Sequence, residues 1–185
     1  MEQTMTVSSL QPLDAKQFDE RCAQHLLQRA GFGGTPEQAQ ALAKLGLEKS
    51  VQYIVNYKNL PDPDAPALDD YDKDIIRPLT EEERGQAKKA RQSKDEDVVD
   101  MFRKARQKRQ RADRQQIAEM EGWWLRRMIS TPRPLEEKLT LFWHGHFATG
   151  YRTIENSYHM YMQNMFLREN AMGNFKEDLV RGIIH

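Results

Sequence analysis

Apolar residues in this chain recur three or four positions apart, which is the spacing of residues on one face of an α-helix. The clearest stripe follows Pro134 and consists of Leu135, Leu139, Phe142, Trp143, His146 and Phe147. No segment of useful length shows the alternation of apolar and polar residues that is typical of a half-buried strand. The sequence therefore predicts an all-α fold, in which several short amphipathic helices pack as an irregular bundle with a long charged helical insertion.

Short motifs at predicted helix ends agree with this fold class. Thr35 is followed three residues later by Gln38, which is the arrangement of a capping box. The helix that starts there is predicted to end at Gly46, since glycine readily adopts the conformation that closes a helix. A second capping box is predicted at Thr80 and Glu83. These motifs predict helix starts at two well-separated points of the chain.

Changes in composition divide the chain into four predicted segments. They are a flexible N-terminus at 1–13, an N-terminal helical unit at 14–60, a charged linker and polar helix at 61–114, and an aromatic-rich helical core at 115–185. Within the helical unit, helices are predicted over 14–30 and 48–57. The last segment contains most of the aromatic residues, and 148–157 within it is predicted to be a loop. We expect this core to be the truncated start of a longer folded region.

The charged segment 61–114 carries the strongest local charge pattern. Its first part is rich in proline and carboxylates, and its last part has seven basic residues: Arg103, Lys104, Arg106, Lys108, Arg109, Arg111 and Arg114. Clustered cations on one helix attract nucleic acid by releasing counterions from the phosphate backbone. No aromatic residue interleaves these bases after Phe102, and acidic residues upstream can compete for them. We therefore favour a solvated helix with little burial and treat nucleic-acid binding as an alternative.

Whole-chain composition excludes several classes of protein. Lys and Arg total 28 and Asp and Glu total 28, so the formal net charge is zero and there is no overall attraction to nucleic acid or to anionic membranes. A single cysteine, Cys22, excludes an intramolecular disulfide framework. The chain shows neither a secretory signal nor an apolar run long enough to span a membrane. A cytoplasmic location is the default expectation.

Three histidines are the candidate metal ligands. His144 and His146 are two residues apart, and two imidazoles at this spacing can share one divalent metal when the backbone is extended, with His159 or a carboxylate such as Glu155 as a third ligand. On a helix, residues two apart point in nearly opposite directions. His146 would then join the buried apolar stripe as a hydrogen-bonded core residue, while His144 would face the other side. We favour this structural role over the metal site.

Three blocks of sequence resemble a known family. They are HLLQRAGFG at 25–33 with Thr35 and Pro36, the run from WLRRM at 124–128 through TPRPLEEK at 131–138 to FWHGHF at 142–147, and Gln163 and Asn164 with GNF at 173–175. Their order and spacing resemble the opening third of the bacterial family known as domain of unknown function 1800. The resemblance covers most of the chain outside 61–114, and members of the family are generally longer.

The resemblance implies a mostly helical fold and frequent genomic company with a family that resembles sulfatases and phosphatases, but no reaction. Neither the resemblance nor the residues decide whether the chain is an enzyme. We expect an interaction or scaffold module whose partner is the missing C-terminal part of the same protein or another protein. The competing hypotheses are a metal-dependent, hydrolase-like site around His144 and His146, and nucleic-acid binding through 103–114.

Overall fold

The structure, a computed structural model, describes residues 12–62, 71–147 and 150–180. The helices are α1 (Glu20–Ala30), α2 (Pro36–Leu45), α3 (Leu47–Val55), α4 (Glu81–Ser93), α5 (Glu96–Ser130), α6 (Pro134–His146), α7 (Tyr151–Ile154) and α8 (Ser157–Glu169), with a π-helical segment at Phe175–Val180. The described residues contain no strand, so the all-α prediction is confirmed. The flexible N-terminus predicted at 1–13 lies outside the described residues except for its last two positions.

The chain divides into two compact units. The first unit is Met1–Pro61 with Pro132–Lys138, and the second is Asp62–Thr131 with Leu139–His185. This division groups 132–138 with the N-terminal helices, whereas the sequence analysis places these residues in the aromatic-rich core. Helix α5 also continues without a break across the boundary predicted after Arg114.

The first unit is held together by three short helices. Its buried apolar core consists of Ala23, Leu27, Ala39, Leu42 and Ile54. The capping box of Thr35 and Gln38 is present at the start of α2. Gly46 ends α2 with a φ of +82° and its backbone N–H donates to the carbonyls of Leu42 and Ala43. The helix predicted over 14–30 is interrupted. A 3₁₀ turn at Ala15–Gln17 comes first, and Asp19 then caps α1 by accepting a hydrogen bond from the Cys22 N–H.

The second unit begins with two helices where the sequence shows one polar stretch. The predicted capping box of Thr80 and Glu83 opens α4. The chain then leaves the helix at Lys94, which has a φ of +54°, and Asp95 caps α5 by accepting a hydrogen bond from the Val98 N–H. Lysine at a left-handed position carries no glycine-like signal, which explains why the break is not evident in the sequence.

Helix α5 passes from a solvated half to a buried half. Between 84 and 114, only Ala90 and Asp113 are buried, so the prediction of little burial is correct for this stretch. Beyond it, α5 and α8 supply the apolar core of the unit, namely Ile117, Met120, Met160 and Tyr161. The ring of Tyr71 stacks on Tyr161 with centroids 4.0 Å apart. Among the described helices, none is both long and apolar enough to cross a membrane.

The buried face of α6 differs from the prediction. The expected inward stripe is only partly buried: its other four residues are half-buried, whereas Phe142 is 58% exposed and His146 is exposed. The polar residues Glu136, Glu137 and Thr140 are buried instead. The buried carboxylate of Glu136 lies 3.8 Å from the guanidinium of Arg133. Because apolar residues occupy more than one face of α6, periodicity alone does not select its inner face.

One predicted loop is also wrong in part. Tyr151–Ile154 forms the short helix α7 within the segment 148–157, whose first two residues lie outside the described residues. Glu155 ends α7 with a φ of +48°, and Asn156 then caps α8 by accepting from the His159 N–H at 3.0 Å. Helix α7 places Tyr151 and Arg152 at the cavity described next.

Candidate functional site

The three candidate metal ligands have separate aromatic surroundings. The ring of His144 lies 5.6 Å from that of Trp124, and burial lowers the pKa of His144. The ring of His146 lies 5.8 Å from that of Trp143 and 5.9 Å from that of Phe175. His146 is exposed, so the expectation that it is the buried core histidine of α6 is wrong.

His159 is on the exposed side of α8. In the part of the chain that the structure describes, no three His, Cys, Asp or Glu side chains come together as a potential metal site. The metal site at His144, His146 and His159 stays a prediction from the sequence. Elemental analysis of the protein purified without added metal would test it.

The second unit contains a cavity of about 840 Å³ that is lined largely by arginine. The lining cations are Arg77, Arg91, Arg103, Arg106, Arg109, Arg114 and Arg152. Asp113 and Glu155 are the two carboxylates among its lining residues, so positive charge predominates. We call this feature the arginine cavity. Its volume falls within the range of about 300–1,000 Å³ that is common for small-molecule sites.

Helix α5 supplies one wall of the arginine cavity through its helical periodicity. Steps of three or four residues place Phe102, Arg106, Gln110 and Asp113 along the same face, and all four line the cavity. The other basic residues of the run, Lys104, Lys108 and Arg111, are exposed and do not line it. The basic run therefore has two faces, and the cations that line the cavity are all arginine.

Most of the arginine side chains in the cavity make no close ion pair with another described residue. Arg77 pairs with Glu83 and Arg103 pairs with Asp100, each at 2.8 Å. The remaining five make no close ion pair or hydrogen bond with the residues in the described ranges: Arg91, Arg106, Arg109, Arg114 and Arg152. Like charges that share a concave surface repel each other, and a bound anion would relieve this repulsion.

Arg77 is held at the cavity by the start of α4. Its two terminal nitrogens each donate to a different oxygen of Glu83 at 2.8 Å, which is the bidentate geometry of a strong ion pair. The hydrogen bonds from Arg77 and the Thr80 N–H lower the pKa of Glu83 to about 2. Glu83 thus completes the capping box and fixes the direction of a cavity arginine with one carboxylate.

A buried polar network borders the other end of the α5 wall. The carboxylate of Asp113 accepts hydrogen bonds from the Tyr151 hydroxyl at 2.7 Å and from the Ser157 N–H and hydroxyl at 2.9 and 2.6 Å. The Gln116 amide donates to the Ser157 hydroxyl at 2.9 Å and to the Asp72 carbonyl at 3.1 Å. Burial, followed by the hydrogen bond to Asp113, raises the pKa of Tyr151 to about 12. Tyr151 is therefore a phenol at neutral pH.

Comparison with known proteins bears on the whole chain rather than on the cavity. The model of the family described as "Protein of unknown function (DUF1800)" matches residues 25–185. The chain belongs to this family. No curated protein and no solved structure matched the chain.

For this DUF1800 chain, the match confirms the family named from the three sequence blocks, and it attaches no reaction to the fold. The matched range also runs across 61–114, so the interpretation of that segment as an insertion stays a prediction.

The cavity of this DUF1800 chain is not evident from its sequence. Arg77, Arg91, Tyr151 and Arg152 come from outside the basic run, and their approach to α5 depends on how α4 and α7 pack. One signal is present in the sequence, since the arginines at 103, 106 and 109 recur every three residues while the lysines occupy the positions between them. This spacing distinguishes a one-sided arginine face from a uniformly basic helix.

Proposed function

We propose that the second unit is a binding module for an anionic ligand, which occupies the arginine cavity. The observation that carries this proposal is the group of five arginines around one concave space that make no close ion pair within the described part of the chain. Arginine is suited to this role because its planar guanidinium donates two parallel hydrogen bonds to a phosphate or carboxylate. The proposal thus assigns one chemistry, the binding of an anion by arginine side chains, to a helical protein of uncharacterised function.

The shape of the site favours a small ligand over nucleic acid. A helix that binds duplex DNA inserts into a groove or contacts phosphates with an open face. Here, four arginines of the basic run line a concave space together with residues of α4 and α7. Lys104, Lys108 and Arg111 on the outside would add to nucleic-acid binding but not to binding in the cavity, and this difference separates the two functions experimentally.

The test compares two variants with the same change in charge on the same helix. The cavity variant replaces Arg106, Arg109 and Arg114 with Gln, and the control variant replaces Lys104, Lys108 and Arg111 with Gln. Binding of sodium tripolyphosphate is measured by isothermal titration calorimetry at 0.15 M NaCl. We expect the cavity variant to lose at least about tenfold in affinity, because it removes direct charge-assisted hydrogen bonds. The control should lose less than about threefold, since screening weakens distant charges.

Two outcomes would overturn the proposal. The first is equal loss of tripolyphosphate affinity in the cavity and control variants, since this would show that only the overall charge of α5 matters. The second is no detectable binding by the unmodified chain at millimolar tripolyphosphate. A titration with a 20-base-pair duplex tests the alternative, and tight duplex binding weakened equally by both variants would favour nucleic acid.

Exposed aromatic rings support an interaction module as a second candidate. Phe142, Trp143, Phe147 and Phe175 form a contiguous group, in which Phe142 is 58% and Phe175 46% exposed. Exposed apolar groups of this kind are typical of protein interfaces. The partner proposed from the sequence is a further part of the same protein or another protein. In the absence of that partner we expect the exposed rings to make the chain self-associate, and Phe142→Ser and Phe175→Ser should reduce this association in sedimentation velocity over a concentration series. A chain that stays monomeric at high concentration would contradict the interaction module.

A further inference from the structure

The wall of the arginine cavity is not uniformly charged. Apolar residues from three parts of the chain line it together with the arginines: Ile76, Leu79, Ala87, Val99 and Phe102. Val99 is 36% exposed although it is a large apolar residue. A bare inorganic anion would leave this apolar surface in contact with water, whereas a ligand with an apolar part would bury it.

The polarity of the α5 wall changes along the helix axis. The residues that line the cavity run from Val99 and Phe102, through Arg103, Arg106 and Arg109, to Asp113 and Arg114. At 1.5 Å per residue, the distance from the first to the last of these positions is about 22 Å. Apolar side chains thus occupy the N-terminal part of the wall and charged ones follow. A ligand that matches this wall has an apolar part and a charged part side by side.

We infer that the ligand of the arginine cavity is an organic phosphate, in which a multiply charged phosphoryl group is attached to an apolar or aromatic body. This inference rests on the proposed anion-binding function and adds the ligand class to it. Five arginines that make no close ion pair with another described residue match a group that carries more than one negative charge. Phe102 and Val99 offer the apolar contact for the attached body.

Three probes that share one diphosphate group test the ligand class. They are inorganic pyrophosphate, adenosine diphosphate and geranyl diphosphate, titrated into the 185-residue chain at 0.15 M NaCl. We expect at least one of the two organic diphosphates to bind about tenfold more tightly than pyrophosphate, because its body buries apolar surface. A gain for adenosine diphosphate alone identifies an aromatic nucleoside body, and a gain for geranyl diphosphate alone identifies an alkyl body.

A matched pair of variants locates the apolar contact. Phe102→Ala removes a ring from the cavity wall, whereas Met101→Ala removes an apolar side chain that is 53% exposed on the same helix and does not line the cavity. Phe102→Ala should abolish most of the gain of the organic diphosphate, measured as the ratio of its affinity to the pyrophosphate affinity of the same variant, and Met101→Ala should leave this ratio unchanged. Because Phe102 is half-buried, Val99→Ser serves as a second variant if Phe102→Ala loses its helical circular dichroism.

The outcomes separate this inference from the proposed function. If pyrophosphate binds but neither organic diphosphate binds more tightly, the inference is overturned and anion binding stands. If citrate binds as tightly as the best diphosphate, the phosphoryl part of the inference is overturned. If none of these anions binds, the proposed function itself fails.

Discussion

The carboxylate of Asp113 on α5 accepts a hydrogen bond from the Tyr151 hydroxyl on α7 at 2.7 Å, and only 2% of Asp113 is exposed. The same carboxylate accepts two hydrogen bonds from Ser157, the first residue of α8. One buried group therefore joins α5 to the two helices that follow α6. These bonds occupy much of its acceptor capacity, and its negative charge remains in the lining of the arginine cavity.

We expect Asp113→Ala to be among the most destabilising substitutions in the second unit. It would leave the half-buried Tyr151 hydroxyl and the buried Ser157 N–H without their acceptor, and we estimate a loss of about 3 kcal/mol in the free energy of unfolding. Urea denaturation measures this loss. The control is Glu121→Ala, which removes an exposed carboxylate from the same helix and should change stability by less than about 0.5 kcal/mol. Equal effects of the two substitutions would refute the structural role of Asp113.

The arginine cavity should reduce the stability of the free protein. The cavity variant with Gln at Arg106, Arg109 and Arg114 relieves repulsion within one concave surface, whereas the control with Gln at Lys104, Lys108 and Arg111 relieves it on an open one. We expect the cavity variant to have the higher Tm in 10 mM salt, and the difference to shrink in 0.5 M salt because screening shortens the range of charge interactions. A Tm of the cavity variant below that of the control at both salt concentrations would argue against clustered repulsion.

Helix starts could be predicted well from the sequence because their signals are local. The capping boxes at Thr35 and Thr80 depend on residues three positions apart, and both are present in the structure. The break at Lys94 was missed because a left-handed lysine is set by the turn between α4 and α5 and not by its own residue type.

The inner face of α6 and the arginine cavity could not be predicted because they depend on distant contacts. Apolar spacing marks Phe142 and His146 as inward residues, yet both are exposed. The cavity needs Arg77 and Arg152, which are 75 positions apart in the chain. The basic run is evident from the density of charged residues in the sequence. That one face of it forms a cavity wall depends on tertiary packing, which no local sequence pattern indicates.

Gly46 and Gly85 have different backbone conformations, so replacing each with alanine should change the free energy of unfolding in opposite directions. Gly46 has a φ of +82° and a ψ of +166°, a region that residues with a side chain rarely adopt. Gly46→Ala should therefore cost about 2 kcal/mol in the free energy of unfolding. Gly85 lies within α4, and a methyl group there would meet no atom within 4 Å. Gly85→Ala should stabilise the protein by about 0.5–1 kcal/mol through helix propensity. Chemical denaturation of both variants tests the pair, and a stabilising Gly46→Ala would contradict the assigned backbone geometry.

Tyr151 should make the stability of the protein fall at high pH. Its pKa in the folded protein is about 12, raised first by burial and then by the hydrogen bond to Asp113, compared with 10.0 for an ordinary tyrosine. Between these values the unfolded chain releases a proton that the folded chain keeps, so the contribution of Tyr151 is complete below pH 10 and is lost as pH rises towards 12. Urea denaturation from pH 8 to 11 should show that the difference in stability between the unmodified protein and Tyr151→Phe shrinks above about pH 10.

Replacing Asp113 with Asn should weaken this dependence, because the hydrogen bond to a charged acceptor is lost while the burial remains. A difference that stays constant over the whole range would show that Tyr151 ionises as an ordinary tyrosine and is not bound to Asp113.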